Sequence, residues 1–288
     1  MHIRRLAVFD LDRTLLDDRS SISDETATRL RAVGAPGLAC TIASGRDLER
    51  IAPYVQQLEW LSVPVIAEQG ALVVDPENGH ILMERAISPE VLLGSAEIVR
   101  SLQIPVNMIL YGRSDPQAFR NAGARSFVDG WASSSYASHL RDVPAAGEIR
   151  TEGVRKISII CLPGDADLVR DIVTKSLGPR ANVVKADVNF VNIMDAGVDK
   201  GTALRWLISY LGIQNADVMA VGDCEADRSM LAVAGISVAV ANADEQTRSL
   251  ARFVVPSNNE QGAAVALEKF AAGEFGVWDD ERHPIQEE

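Results

Sequence analysis

Apolar residues in this chain gather in short, nearly unbroken runs, and the segments between the runs repeat at helical spacing. Leu6 to Phe9, Leu38 to Ala43 and Pro64 to Ala67 are runs of the kind that strands buried on both faces require. Between the first two, Ser23 is a candidate N-cap ahead of Asp24 and Glu25, and Leu30 and Val33 continue one helical face until Gly34 and Pro36. Asp47 to Leu58 predicts a second helix, which Pro53 should kink or start late. Apolar strands alternating with helices predict a parallel α/β sheet.

The rhythm breaks after residue 70. Ala71 to Val74 and His80 to Met83 flank Asp75-Pro76-Glu77-Asn78-Gly79, a hairpin signal because Asn-Gly accepts positive φ at low cost. Ser88-Pro89 should open a helix to about Leu102, and Val106 to Leu110 a strand. Gly112 to Thr151 reads as irregular, with a weak amphipathic stretch near Trp131 to Leu140. Lys156 to Leu162, a helix from Asp165 to Leu177, and strands near Ala181 to Lys185 and Val188 to Met194 follow. The βα rhythm then returns, with helices at Lys200 to Leu211, Glu225 to Ala234, Asp244 to Ala251 and Glu260 to Ala271. Strands at Asp217 to Val221, Ile236 to Val240 and Phe253 to Val255 lie between them. The division predicted is a discontinuous core of residues 1–83 and 188–272, an α+β insert of residues 84–187, and a loose acidic tail of residues 273–288.

At 288 residues, 47% hydrophobic and 24% charged, the chain can bury a sizeable core in two domains. Its net charge of -12, with no clustered basic footprint, argues against nucleic acid or an anionic membrane as partner. Cys40, Cys161 and Cys224 are far apart, so neither a disulfide framework nor a zinc site is predicted. No apolar run is long enough for a membrane span and no signal peptide precedes the first strand, so a reduced, cytoplasmic protein is expected.

Charge changes the picture at the strand ends. The first run stops at Asp10-Leu11-Asp12, followed by Arg13 and Thr14. On an extended backbone Asp10 and Asp12 point the same way, about 7 Å apart, with Leu11 turned into the core. Two such carboxylates repel, so one pKa rises or a cation sits between them, usually a divalent metal. They also suit a job in two parts, one carboxylate attacking an electrophile and the other carrying a proton. Ser44-Gly45-Arg46 ends the second run, Gly222-Asp223 ends a later one, and Lys200 opens a helix. Ligands of parallel sheets bind beyond the carboxyl ends of the strands, so all four places can converge on one rim. Each alone is an ordinary cap, turn or solvated charge; together they would be four coincidences at one edge of one sheet.

In these residues the chain resembles the haloacid dehalogenase-like hydrolases, and within them the Cof-type phosphatases. Asp10-Leu11-Asp12-Arg13-Thr14 is similar to the first motif, Ser44 in IASGR to the second, Lys200 to the third and Gly222-Asp223-Cys224-Glu225-Ala226-Asp227 to the fourth. Asn242-Ala243 also fits the subgroup's pattern. The resemblance implies a Rossmann-like α/β core with an inserted α+β cap. It also implies a Mg²⁺-dependent phosphatase acting on a small phosphate ester, a sugar phosphate or a phosphoglycolate-like compound. Asp10 would attack phosphorus to give a phosphoaspartate, and Asp12 would carry the proton. Ser44, Gly45 and Lys200 would bind the phosphoryl group. Mg²⁺ would be held by Asp10, the Asp12 main-chain carbonyl and Asp223, with Asp227 a ligand or a group supporting one. Ala226 departs from the usual Asn, Gln69 stands at the place of a frequent Asn near the substrate, and Arg13, expected to face solvent, replaces the commonest Gly. Cys224 reads as a bystander. Tyr111, Arg113, Trp131 and Arg155 are insert residues that could reach substrate. A sugar phosphomutase of the same fold and a catalytically weak phosphate-binding module are the alternatives.

Overall fold

The computed structural model of the chain describes residues 3–113, 116–121, 140–145 and 148–276. Its packing divides the chain into two units: residues up to 82 together with those from 200 onward, and residues 83–199 between them.

The first unit begins with β1 (Arg5–Phe9), whose Leu6, Ala7, Val8 and Phe9 are wholly buried. Such a strand has no polar face because it is covered on both sides. α1 (Asp24–Ala32) starts where predicted, Ser23 accepting from the Thr26 amide at 3.1 Å. β2 (Leu38–Ile42) follows, then α2 (Leu48–Leu58), capped by Asp47 and running through Pro53 while burying Ile51, Val55 and Leu58. β3 (Val65–Ala67) and β4 (Leu72–Val74) pair antiparallel, and with β5 (Ile81–Glu84) they make a small three-stranded sheet. Sequence pattern alone made the β3 segment a third parallel strand. It joins the main sheet by a parallel bridge, Ala43 to Ile66, and the chain then doubles back through Glu68, Gln69 and Gly70, all at positive φ, so that β3 pairs with β4 instead.

The second unit holds α3 (Pro89–Ser101), capped by Ser88, and then β6 (Asn107–Gly112), β7 (Gln117–Arg120), β8 (Arg141–Asp142) and β9 (Val154–Ile160). α4 (Ala166–Leu177), β10 (Ala181–Asp187) and β11 (Phe190–Asp195) complete it. One six-stranded sheet runs β10-β11-β9-β6-β7-β8, antiparallel except for the parallel pair β7 and β8. Val91, Leu92, Val99, Val169 and Val173 of the helices pack with Met108, Leu110, Ile157 and Ile159 of the strands in a core of its own. Two differences from the predicted pattern stand out. Gln117 to Arg120, expected to be irregular, is a strand. β11, expected to reopen the core at residue 188, pairs with β9 and β10, so the second unit extends to Asp199. The stretch expected near Trp131 falls outside the described residues, as does most of the acidic tail.

Lys200 resumes the first unit with α5 (Lys200–Leu211), β12 (Val218–Gly222), α6 (Arg228–Val233), β13 (Ile236–Val240), α7 (Glu245–Leu250), β14 (Phe253–Val255) and α8 (Gly262–Ala272). The main sheet is wholly parallel in the order β14-β13-β12-β1-β2, placing β1 between β12 and β2. Phe9 stacks on Trp60 at 5.3 Å between ring centroids, within a core that also takes Phe270 and Leu267 of α8. Loss of a buried ring such as Phe9 would cost about 3–5 kcal/mol. Among the described residues no helix is long and apolar enough to cross a membrane.

Candidate active site

The register of the central strands assembles the site. Phe9 lies opposite Ile42 on one side and Val221 on the other, and the Asp10 amide donates to the Val221 carbonyl at 2.9 Å. The residues just past these ends, Asp10, Ser44 and Asp223, therefore share the carboxyl edge of the sheet, where parallel strands present ligands. The backbone is extended at Asp10 and again at Asp12, with Leu11 between them fully buried. Asp10 is buried, while the Asp12 side chain is about half exposed.

Lys200 reaches this edge from the first turn of α5. Its Nζ donates to Asp10 Oδ1 and to Asp227 Oδ1, each at 2.6 Å, and only 2% of the residue is exposed. A helix start disfavours a cation, but two carboxylates at contact distance outweigh that effect. Burial pulls the ammonium's pKa down; Asp10 and Asp227 reverse this and hold it above the ordinary lysine value. The approach requires Gly201, where a Cβ would lie 2.4 Å from the Ser229 carbonyl oxygen of α6.

Asp227 is fully buried, and both its oxygens are engaged. Oδ1 takes Lys200, while Oδ2 accepts from the amides of Asp223 at 2.9 Å and Cys224 at 3.2 Å. Gly222 permits this loop, since a Cβ there would meet the Asp227 Cβ at 2.5 Å. Asp223 is left facing the edge with Arg13 Nε 4.0 Å from its Oδ2. Arg13, expected in solvent, is thus half exposed and half turned to the acid cluster, from a left-handed backbone at φ 61°.

Three buried carboxylates against one lysine leave excess negative charge. Burial, then the Asp227 charge, pushes Asp10 up to about 7 against the pull of Lys200. Burial, then Asp227 and Asp10, pushes Asp223 up to about 9. A cation would relieve both. Asp223, Cys224 and Asp227 bring a possible ligand atom each within 4.8 Å of one another. Burial and the same acids raise the Cys224 thiol well above its ordinary pKa, and its Sγ donates to Asp227 Oδ2 at 3.6 Å, the arrangement of a hydrogen-bonded bystander beside the carboxylates. What remains is an all-oxygen donor set, which suits a hard cation such as Mg²⁺ better than zinc.

On the other flank, Ser44 is wholly buried and its Oγ accepts the Arg46 amide at 3.1 Å. The Gln69 amide donates to the Ser44 carbonyl at 3.0 Å, and the Gln69 side chain covers Gly45 so closely that a Cβ there would lie 2.5 Å from Nε2. Sequence reasoning named Ser44 and Gly45 but missed the next residue. Arg46 grips Asp12 through Nε to Oδ2 at 2.8 Å and through Nη2 to Oδ1. The available signal was an arginine directly after the strand-end Ser-Gly. Asn242, noted only as a pattern, ties the Arg13 carbonyl at 2.8 Å to the Asn258 amide at 2.9 Å. In the second unit, Arg113 and Arg155 both pair with Glu84, and Lys156 Nζ lies 4.0 Å from the Tyr111 ring centroid.

Known proteins give the same picture of kinship. A family model described as haloacid dehalogenase-like hydrolase matches residues 7–267. A Bacillus subtilis protein, 5-amino-6-(5-phospho-D-ribitylamino)uracil phosphatase YwtE, is 25% identical over 92% of this chain and 98% of its own. HMP-PP phosphatase of Cronobacter sakazakii is 27% identical over 84% of this chain and 86% of its own. A solved haloacid dehalogenase-like hydrolase from Bacteroides thetaiotaomicron superposes with a TM-score of 0.73 at 25% identity, covering 92% of this chain and 99% of that one.

Proposed function

The chain belongs to the haloacid dehalogenase-like hydrolases, and on that premise we propose that it is a Mg²⁺-dependent phosphatase working through a phosphoaspartate on Asp10. The observation that carries this reading is the buried Lys200 shared at 2.6 Å by Asp10 and Asp227, beside Asp223 on one sheet edge. A solvated lysine or an ordinary acidic turn would not be buried in this arrangement. The substrate proposed is a small phosphorylated metabolite, a sugar phosphate or a phosphoglycolate-like compound; the relative named for a phospho-ribityl compound supports the sugar-like class.

Asp10 and Asp223, with the Asp12 main-chain carbonyl, would hold Mg²⁺, and Asp227 would fix the loop that carries Asp223, since its oxygens are engaged elsewhere. Bound there, the ion would offset the excess acid charge and neutralise charge on the phosphoryl oxygens. In the first half-reaction an Asp10 oxygen forms a bond to phosphorus as the ester P–O bond breaks, and Asp12 gives its proton to the departing oxygen. In the second, water bonds to phosphorus, its proton passes to Asp12, and the bond to Asp10 breaks to release phosphate. Lys200 keeps Asp10 oriented and offsets charge on the transferring group. Ser44, whose Oγ already accepts an amide, would turn its hydroxyl hydrogen to a phosphoryl oxygen, with the Gly45 amide beside it as a second donor.

A panel of phosphorylated metabolites assayed with and without Mg²⁺ is expected to give metal-dependent phosphate release. Asp10→Asn should then lose turnover and the acid-stable protein-bound phosphate together. Retained activity in purified Asp10→Asn would overturn the reading.

A further inference from the structure

Asp12 lies past the end of β1 with its side chain about half in solvent. A carboxylate so placed ordinarily samples several rotamers, which is a poor arrangement for a group that must meet a departing oxygen within hydrogen-bond reach. Among the described residues a single side chain hydrogen-bonds it. Arg46 approaches with two nitrogens, one on each carboxylate oxygen. A fork of this kind fixes the carboxylate plane as well as its position.

The arginine is held in turn. Its amide donates to Ser44 Oγ at 3.1 Å and its carbonyl accepts the Glu68 amide at 2.9 Å. Its Nη1 donates to Tyr54 Oη at 3.3 Å, and the guanidinium stands 5.6 Å from the Tyr54 ring centroid. Tyr54 Oη donates to the Ser20 carbonyl at 3.0 Å, tying α2 to the segment that follows Asp12. An exposed ion pair commonly contributes little because both side chains must be ordered to make it. Here Arg46 is already fixed at its backbone and at its tip, so ordering Asp12 costs less.

We propose that Arg46 is the positioning residue for Asp12: anchored by Ser44, Glu68 and Tyr54, its guanidinium fork aims the Asp12 carboxyl for proton transfer to the leaving group. The proposal rests on the reading of Asp12 as the proton carrier. It also gives the Ser44-Gly45-Arg46 turn two functions. Ser44 and Gly45 would serve the phosphoryl group, while Arg46 would set the group that serves the ester oxygen.

The test separates leaving groups. 4-Nitrophenyl phosphate releases a phenolate stable without a proton, whereas phenyl phosphate releases a more basic one. kcat/KM, which reports events through phosphoryl transfer to Asp10, would be measured for both esters. Arg46→Ala is expected to lower it about a hundredfold for phenyl phosphate, within the range of general acid catalysis, and about threefold or less for 4-nitrophenyl phosphate. Adding Arg46→Ala to Asp12→Ala should cause no further loss with either ester, as for residues that act as one unit. Free guanidinium should partly restore Arg46→Ala but not the double variant. Arg46→Lys, which keeps the charge without the fork, should fall between wild type and Arg46→Ala. Should Arg46→Ala fail to fold, Tyr54→Phe supplies the same comparison, with a smaller shift in the same direction. Equal losses for both esters, a further loss in the double variant, or an unaffected single variant would each overturn the proposal. Failure of the phosphoaspartate reading itself would register separately, as wild-type protein that forms no protein-bound phosphate.

Discussion

Lys200 shows how much one residue carries. Removing its side chain leaves Asp10 and Asp227 buried without their shared cation, and breaking a buried pair in this way costs about 3–5 kcal/mol. Lys200→Ala should therefore unfold at markedly lower urea while losing protein-bound phosphate. The acids it faces make the metal-free protein sensitive to pH in a definite direction. Asp10 and Asp223 titrate near 7 and near 9 when folded, above the ordinary aspartate value of 3.8, so between those values the folded chain binds more protons than the unfolded one. Stability must then fall as pH rises from weakly acidic to about 9, and the raised Cys224 thiol and Lys200 ammonium carry the fall further at higher pH. Mg²⁺ should raise the melting temperature more at pH 9 than at pH 6, and its binding should release protons, measurable by calorimetry in buffers of different ionisation heat. An apo protein equally stable at both pH values would refute the crowded-acid account. Much of this site was legible from the chain, because Asp10, Ser44 and Asp223 each end an apolar run and Lys200 opens a helix. The Asp12–Arg46 fork was not, because it spans thirty-four positions and needs β1 and β2 to be adjacent and in register.

At the scale of elements, glycines set how closely helices and loops approach the acids. Gly201 is the clearest case, since its neighbours in space are the backbone of α6 rather than a flexible side chain. Alanine in a helix interior ordinarily gains about 1 kcal/mol over glycine. A Cβ placed 2.4 Å from the Ser229 carbonyl oxygen must push α5 from α6, and forced overpacking costs about 1–3 kcal/mol. Gly201→Ala should therefore destabilise the protein on balance in urea titration and lower kcat, because the displaced turn carries Lys200. A stabilised variant with full activity would mean that α5 can shift without cost. The helices α1, α2, α3 and α7 begin within a residue or so of where the sequence placed them, at Ser23, Asp47, Ser88 and Asp244, each of which the structure shows as the cap. Strand partners were harder to read. β3 has the composition of a parallel strand, and only the positive φ of Glu68 and Gln69 turns it into a hairpin. The short β7, Gln-Ala-Phe-Arg, carries too little apolar signal to distinguish it from a loop.

The whole molecule raises the question of whether its two units are separate folding entities. Residues 83–199 form one continuous segment, and their core of Leu92, Val99, Met108, Phe119, Ile159, Val173 and Ile193 is drawn from that segment alone. Its sheet order is complete within it, from β10 to β8, and its buried Arg155 is neutralised by Glu84 of the same segment. The other unit must close across the insertion, since β1 lies between β2, which precedes the insert, and β12, which follows it. That asymmetry was partly visible as the lapse and return of the βα rhythm. The return was misplaced by one strand because an apolar run such as Phe190 to Met194 suits either sheet, and only its antiparallel ladder with β9 and β10 assigns it. The segment 83–199 expressed alone should therefore fold, with a cooperative thermal transition and dispersed amide resonances. It should release no phosphate from any ester, since Asp10, Asp12, Ser44, Lys200 and Asp223 all lie in the other unit. A segment ending at residue 187 removes β11, which joins β10 to β9, and should lose that cooperativity. If both segments melted alike, β11 would not be integral to this fold and the boundary at Lys200 would be wrong.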